Sequence, residues 1–382
     1  MVSTTAGETG ASAAAQGLPI VIVGAGLAGS LLALALARRG LATTLVGPAL
    51  VGPALGVPGP VASPDLWESQ PAPAATAISY GSLLGRAAAR SWQELERQHG
   101  PLGWQPAPLL LHGWPAPLGL LPVSVQGLAT AALAFSRVDT VALAAALPAA
   151  LAAAGVERCE AMVESIAAGA GGWRLSLTSG EELQAPQLVL AAGASSRSLW
   201  PLLPERLRFS WAGVVVGEGD GAAVPGSPVT TTAKGLPPWL RHARRGGIVQ
   251  PQGWQRPGLE ARSAQLVGEE WIVDAGLAPW GQRVLLGQIS LVGPDLDPRR
   301  PPDPAGMEQR LREGLGALDP RLAGMAGPYR QVAVAYCTNG QPLVGAVADQ
   351  PGLWLFTGFA GAFSTVPGLA ERLATKLQAA LS

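Results

Sequence analysis

Apolar residues first run unbroken from Ile20 to Val23, the pattern of a strand buried on both faces. Gly24, Gly26 and Gly29 interrupt it, and helix-forming residues then extend from Ser30 to Arg39 before a stop at Gly40. Leu41 to Val46 reads as a second strand. Further on, the pattern predicts a helix from about Leu83 to His99 and an Ala/Leu helix from Val141 to Ala154, with Asp139 as its N-cap. Short strands follow around Met162 to Ile166 and Trp173 to Leu177, with a hairpin turn at Ser179-Gly180. Leu188 to Ala192, bounded by Pro186 and Gly193, reads as a return to a parallel sheet. The middle region, Trp200 to Tyr329, carries strands near Trp211–Val216, Ile248–Gln250, Trp271–Asp274 and Val284–Leu291, then a helix from Ala305 to Leu318. A last strand is expected over Gln331 to Thr338.

The opening strand, turn and helix form a GxGxxG unit with a second strand at the expected distance. Gly24 permits the tight turn, Gly26 lets backbone N–H groups close on a pyrophosphate, and Gly29 allows close helix-to-strand packing. The unit therefore predicts a dinucleotide site. Leu18 to Ala37 is also free of charge over twenty residues, the length of a membrane span, but three glycines at one end argue against that reading. Residues 1–17 contain Glu8 and no Lys or Arg, which does not suit a signal peptide, and their composition predicts a disordered leader. Gly47 stands where this architecture ends its second strand in an acid that binds the adenosine ribose. Losing that charge-assisted hydrogen bond weakens cofactor binding by about 1.5–3 kcal/mol unless a backbone group or water replaces it. A tandem V-G-P-A-L, Val46 to Leu55, follows as a local loop duplication.

Length and composition narrow the class. A chain of 382 residues with 48% hydrophobic and 14% charged residues holds a sizeable core in one large or two interlocked domains. Net charge is zero, so no global field favours nucleic acid or membranes. Arg241, His242, Arg244 and Arg245, flanked by Trp239 and Trp254, form a basic cluster with aromatics, by default a solvated face. Two cysteines, Cys159 and Cys337, make neither a disulfide framework nor a zinc pattern, which suits a cytoplasmic protein. His99, His112 and His242 are scattered at spacings that imply no triad or metal site. The small-residue stretch Ala75 to Leu84 is either a turn approaching a cofactor or an ordinary N-cap at Ser79 or Ser82.

The order of these pieces, with the R-V-D-T helix start, V-E-S-I, L-V-L-A-A-G-A, Q-P-L-V-G and F-T-G-F-A-G, resembles the FAD-dependent D-amino-acid oxidase superfamily, nearest in layout to its glycine-oxidase and sarcosine-oxidase branches. The resemblance implies an α/β fold. A Rossmann-type, glutathione-reductase-like FAD-binding domain (residues 18–84, 136–204 and 331–382) is interleaved with a smaller, mostly antiparallel substrate domain (residues 85–135 and 205–330). It implies that Gly24, Ala25, Gly26, Leu27, Ala28 and Gly29 hold the FAD pyrophosphate, that Val163 presents backbone to adenine, and that Ala192 and Gly193 line the adenosine side. Gly358, Phe359, Ala360 and Gly361 would meet the flavin's pyrimidine end at a helix N-terminus, where a helix dipole stabilises negative charge.

The implied activity is oxidation of a C–N bond in a small amine or amino-acid-like substrate by hydride transfer to flavin N5, with oxygen or another acceptor recycling the flavin. No nucleic-acid or membrane partner is expected. Family members acting on amino acids carry an arginine on the last strand to clamp the carboxylate, and here that position is Val334. Arg330 lies roughly 20 Å from Tyr336 at strand rise and cannot stand in, so unless an arginine from the roof substitutes, an amino-acid carboxylate is not the ligand. Tyr336 and Phe363 are pocket candidates, and Cys337 is a small buried residue by default. Gly47, the missing arginine and Ala362-Phe363 also motivate a degenerate member acting as a binding or scaffold protein. An NAD(P) dehydrogenase fits the closing motif less well.

Overall fold

A computed structural model describes residues 19–48, 77–79, 83–112, 135–217, 238–251, 255–281 and 283–382. The chain opens with β1 (Ile20–Val23), the glycine elbow, α1 (Leu27–Ala37) and β2 (Thr43–Gly47). Next come β3 (Ala77–Ser79), α2 (Leu83–His99), β4 (Trp104–Pro106), β5 (Leu109–His112) and β6 (Phe135–Val138). The Asp139 carboxylate accepts from the N–H groups of Val141 and Ala142 and so starts α3 (Thr140–Ala153), as its sequence predicts. After β7 (Glu157–Glu160) come β8 (Val163–Gly169), β9 (Gly172–Leu177) and β10 (Glu182–Ala185), then β11 (Gln187–Leu190) and the short α4 (Ser196–Leu199). The middle region supplies β12 (Leu207–Gly217), α5 (Pro238–Arg244), β13 (Ile248–Pro251), α6 (Gln255–Arg262), β14 (Glu270–Val273), β15 (Leu277–Trp280), β16 (Arg283–Val292), α7 (Pro304–Leu318) and α8 (Pro320–Ala323). The chain closes with β17 (Tyr329–Cys337), β18 (Leu343–Ala346), β19 (Leu353–Thr357) and α9 (Ala362–Leu381).

A six-stranded sheet in the order β18-β19-β11-β1-β2-β7 is parallel throughout, except that β18 runs antiparallel to β19. Its central strands are buried on both faces, which explains their unbroken apolar runs. One face packs against Leu31, Leu34, Trp92, Leu143, Leu147, Val366 and Leu373 from helices α1, α2, α3 and α9. On the other face Val21, Val23, Leu188 and Leu190 meet Trp173 and Leu175 of the three-stranded β8–β10 sheet. Helix α1 is apolar nearly all round because it is buried nearly all round, and the charge-free run is a buried strand, Ile20–Val23, followed by this core helix. No helix among the described residues is long and apolar enough to cross a membrane.

The seven-stranded second sheet has the order β17-β12-β16-β15-β13-β5, with β14 also paired to β16. Along β12, residues alternate between its faces. Trp211 and Val215 share the outer face with Ile289 and Leu291, under Met307, Leu311 and Leu315 of α7. Val214 and Val216 lie on the inner face with Trp280 and Leu285, against Val141 at the start of α3.

β17 corrects the domain assignment that placed residues from 331 onward in the cofactor domain. It pairs antiparallel with β12 from Leu207↔Cys337 to Val215↔Tyr329, and the chain returns to the parallel sheet only at β18. Among the elements absent from the sequence reading are β7, whose E-R-C-E lacks an apolar run, and α5, α6 and β15, whose prolines and glycines mask their pattern. The residue 1–17 leader, most of the V-G-P-A-L tandem, half of the stretch 75–84 and Trp254 lie outside the described residues.

Candidate cofactor and substrate site

Parallel strands put all their carboxyl ends on one edge, so the glycine elbow after β1 and the glycines after β19 share that edge. Only β11 separates the two strands, a span of roughly 10 Å at normal strand spacing. The elbow is fixed by Gly24 N–H donating to the Val46 carbonyl at 2.8 Å and Ala191 N–H donating to the Val23 carbonyl at 2.8 Å. Gly24 has φ 115°, and a Cβ there would lie 2.4 Å from the Ala191 carbonyl oxygen. A Cβ on Gly29 would lie 1.9 Å from the Gly24 oxygen, so α1 packs directly on the turn. The Ser30 hydroxyl donates to the Ala25 carbonyl at 3.1 Å and locks the same turn.

Gly26 is different. It is exposed at the N-cap of α1, and a Cβ there would meet nothing within 4 Å. Gly361, the left-handed N-cap of α9 with φ 70°, likewise faces open space. Neither helix has an acidic residue in its first turn, so both positive dipole ends are available to an anion or an electron-rich group. The helices run the same way: Arg39 at the end of α1 pairs with Glu371 at 2.9 Å and donates to the Thr375 hydroxyl at 3.0 Å on α9. Between the two turns, the Thr357 hydroxyl donates to the Gly193 carbonyl at 3.4 Å and ties the end of β11 to the end of β19.

The expected cofactor residues Gly24, Ala25, Gly26, Leu27, Ala28, Gly29, Ala192, Gly193, Gly358, Phe359, Ala360 and Gly361 thus lie along one edge. Leu27 and Phe359 are buried in the core, leaving their backbone for any ligand. Val163 opens β8, just past the carboxyl end of β7. Gly358, with φ 82°, lies so close to Cys337 that a Cβ would be 2.6 Å from its Sγ. Burial pushes that thiol's pKa up, as suits an inert packing residue. Gly47 leaves no room for the acid this architecture usually places there: a Cβ would lie 2.6 Å from both Ala25 N and Ala25 Cβ.

Of the two pocket candidates, Phe363 is corrected to a core residue. It is fully buried, its ring stacks with Trp92 at 6.2 Å, and its carbonyl accepts from the Trp92 indole N–H at 2.8 Å. Tyr336 lies on the inner face of the second sheet, packed with Leu259 and Val292, and burial pushes its phenol up to about 12. Its cross-strand partner is Arg208, whose buried Nε has no hydrogen-bond partner among the described residues. Arg208, Ser210 and Ala212 alternate with Leu207, Phe209 and Trp211, a pattern from which Arg208's face was legible. Arg197 shapes the approach to β12 by donating to the carbonyls of Leu203 at 2.8 Å and Leu207 at 3.0 Å.

The inner face is polar at its centre. Gln288 donates to the Ser290 hydroxyl at 2.7 Å, while its own carbonyl oxygen is buried without a partner among the described residues. Burial raises the pKa of Glu260 and of Asp274, each opposed by Arg256, which lies 3.7 Å from Glu260. The basic cluster lies on α5, with Arg245 in the turn after it, and His242 Nε2 bonds the Pro108 carbonyl at 3.1 Å. No group of His, Cys, Asp and Glu among the described residues is placed to hold a metal ion.

Residues 19–376 match the family model of the FAD-dependent oxidoreductases called DAO, and the chain belongs to that family. It is an FAD-dependent oxidoreductase by that membership. Glycine oxidase from Geobacillus kaustophilus is similar in structure, with a TM-score of 0.59, 18% identity, and coverage of 94% of this chain and 95% of that one. Iminodiacetate oxidase from Chelativorans sp. BNC1 has a TM-score of 0.56, 19% identity and the same coverages, 94% and 95%. L-amino acid deaminase from Proteus vulgaris has a TM-score of 0.61 at 13% identity, covering 99% of this chain and 96% of that one. No curated protein matches the chain significantly. FAD fits the carboxyl edge at two points, the open space before Gly26 and that before Gly361, each at a helix N-terminus without acidic side chains.

Proposed function

We propose that this chain oxidises the C–N bond of a small amine or amino-acid-like substrate held between the carboxyl edge of the parallel sheet and the inner face of the second sheet. Bound flavin supplies the hydride acceptor at N5, and the protein supplies orientation and electrostatics. The observation carrying this reading is the pair of glycine turns on one edge, joined across β11, with a polar-centred inner face on the second sheet.

Arg208 is the roof arginine that replaces Val334. Ser210 is the direct partner of Val334, so Arg208 sits on the diagonal, roughly 7–8 Å away and within reach of a long side chain. Arg208 binds a substrate carboxylate, and Tyr336, held protonated by burial, donates beside it. Burial of Ser290 and Gln288 on the same face limits water there.

Anaerobic addition of single amines and amino acids to flavin-loaded protein tests the reading. Bleaching of the flavin band by small amino acids, and weaker bleaching by the matching amines without a carboxylate, is expected. Protein that stays colourless in excess FAD supports the scaffold alternative instead.

A further inference from the structure

Gly47 ends β2 without a side chain, and the 2.6 Å approach of its missing Cβ to the Ala25 nitrogen bars any other residue. In the parallel ladder between β2 and β7, Gly47 is in register with Glu160. Registered neighbours in a sheet point their side chains to the same face, so Glu160 leaves its strand on the side of the glycine elbow, one strand spacing away, about 4.8 Å. Glu160 is also the last residue of β7, on the carboxyl edge, with Val163 three residues later. Its side chain is 55% exposed, and one oxygen lies 3.1 Å from Arg158 Nη2, a group that is itself largely buried.

We infer that Glu160 binds the adenosine ribose hydroxyls of FAD, taking over from β7 the part that Gly47 cannot play on β2. The inference rests on FAD being the cofactor. A carboxylate with one oxygen near a guanidinium keeps its second oxygen for a hydroxyl donor. Reach favours it: a glutamate side chain extends past the strand tip, whereas any residue at 47 must first displace backbone at Ala25.

The test is flavin binding, followed by fluorescence quenching, in the full chain. Glu160→Ala is expected to weaken FAD by about 10- to 100-fold, the loss of one charge-assisted hydrogen bond, with Glu160→Gln in between. FMN, which lacks the adenosine, binds wild type and both variants alike. An FAD analogue with 2′,3′-dideoxyadenosine does not distinguish wild type from Glu160→Ala. Unchanged FAD affinity in Glu160→Ala overturns the inference alone, and equal loss of FAD and FMN assigns Glu160 a purely structural part and also overturns it. Wild-type protein that takes up neither flavin overturns the cofactor assignment and the inference with it.

Discussion

Gly26 and Gly29 sit three residues apart in one motif, yet the structure assigns them opposite consequences on substitution. At Gly29, a methyl group would lie 1.9 Å from the Gly24 carbonyl oxygen, where ordinary carbon contacts exceed 3.0 Å, and the obstacle is backbone. Relief requires α1 to move off the elbow by about an ångström, an overpacking cost of about 1–3 kcal/mol. At Gly26 the same methyl group meets no protein atom within 4 Å, and φ of −74° suits alanine. The only folded-state cost is a poorer N-cap, about 0.5–1 kcal/mol. That methyl group does intrude where a pyrophosphate must approach the α1 N–H groups, and losing even one such charge-assisted bond weakens FAD by about tenfold or more. Thermal unfolding of the apo-protein, paired with FAD titration, separates the two. Gly29→Ala should lower the apo-protein melting temperature clearly, while Gly26→Ala should leave it nearly unchanged and bind FAD poorly. Gly26→Ala with wild-type FAD affinity, or with the stability loss of Gly29→Ala, refutes the reasoning.

Two further predictions concern the roof and the pH response. Arg208→Met should raise KM for carboxylate-bearing substrates by about 10- to 100-fold through loss of a charged anchor and leave amines without a carboxylate nearly unaffected; steady-state kinetics on matched pairs decides it. Burial lowers the pKa of His99 and His242 below the ordinary 6.5, so their contribution to stability is complete above that value and is lost as pH falls through the lower folded values. Glu260 and Asp274, raised by burial, act in the opposite sense, favouring the fold when protonated and losing that contribution as pH rises through their folded values. As pH is lowered through 6.5 the histidine loss and the carboxyl gain therefore oppose each other, and His242→Gln, which keeps a donor for Pro108, should lose less melting temperature over that step than wild type. An identical pH response in the variant rules His242 out.

The parallel sheet and its glycine elbow were legible because three requirements coincide there: a strand buried on both faces, a turn that only glycine allows, and a buried helix. The closing F-T-G-F-A-G was legible for the same reason, since Gly358 and Gly361 both need positive φ. Phe363 was misread although its helix phase was visible: Val366, Ala370, Leu373 and Leu377 recur on the same buried stripe of α9. Strand β7 was missed because a polar edge strand carries no apolar run, and with it went the register that places Glu160 beside Gly47. Arg208, the arginine proposed for the roof, is not marked by the last strand's own pattern, because it lies on β12. Pairing of β12 with β17, more than 110 residues apart, is a tertiary fact that alternation within either strand does not reveal.

Crystals of the protein soaked with FAD would show where the cofactor lies. Continuous density is expected along the carboxyl edge, with pyrophosphate at Gly26, the pyrimidine end at Gly361 and the adenosine ribose beside Glu160. Density anywhere else, or an empty edge in saturating FAD, would contradict that placement.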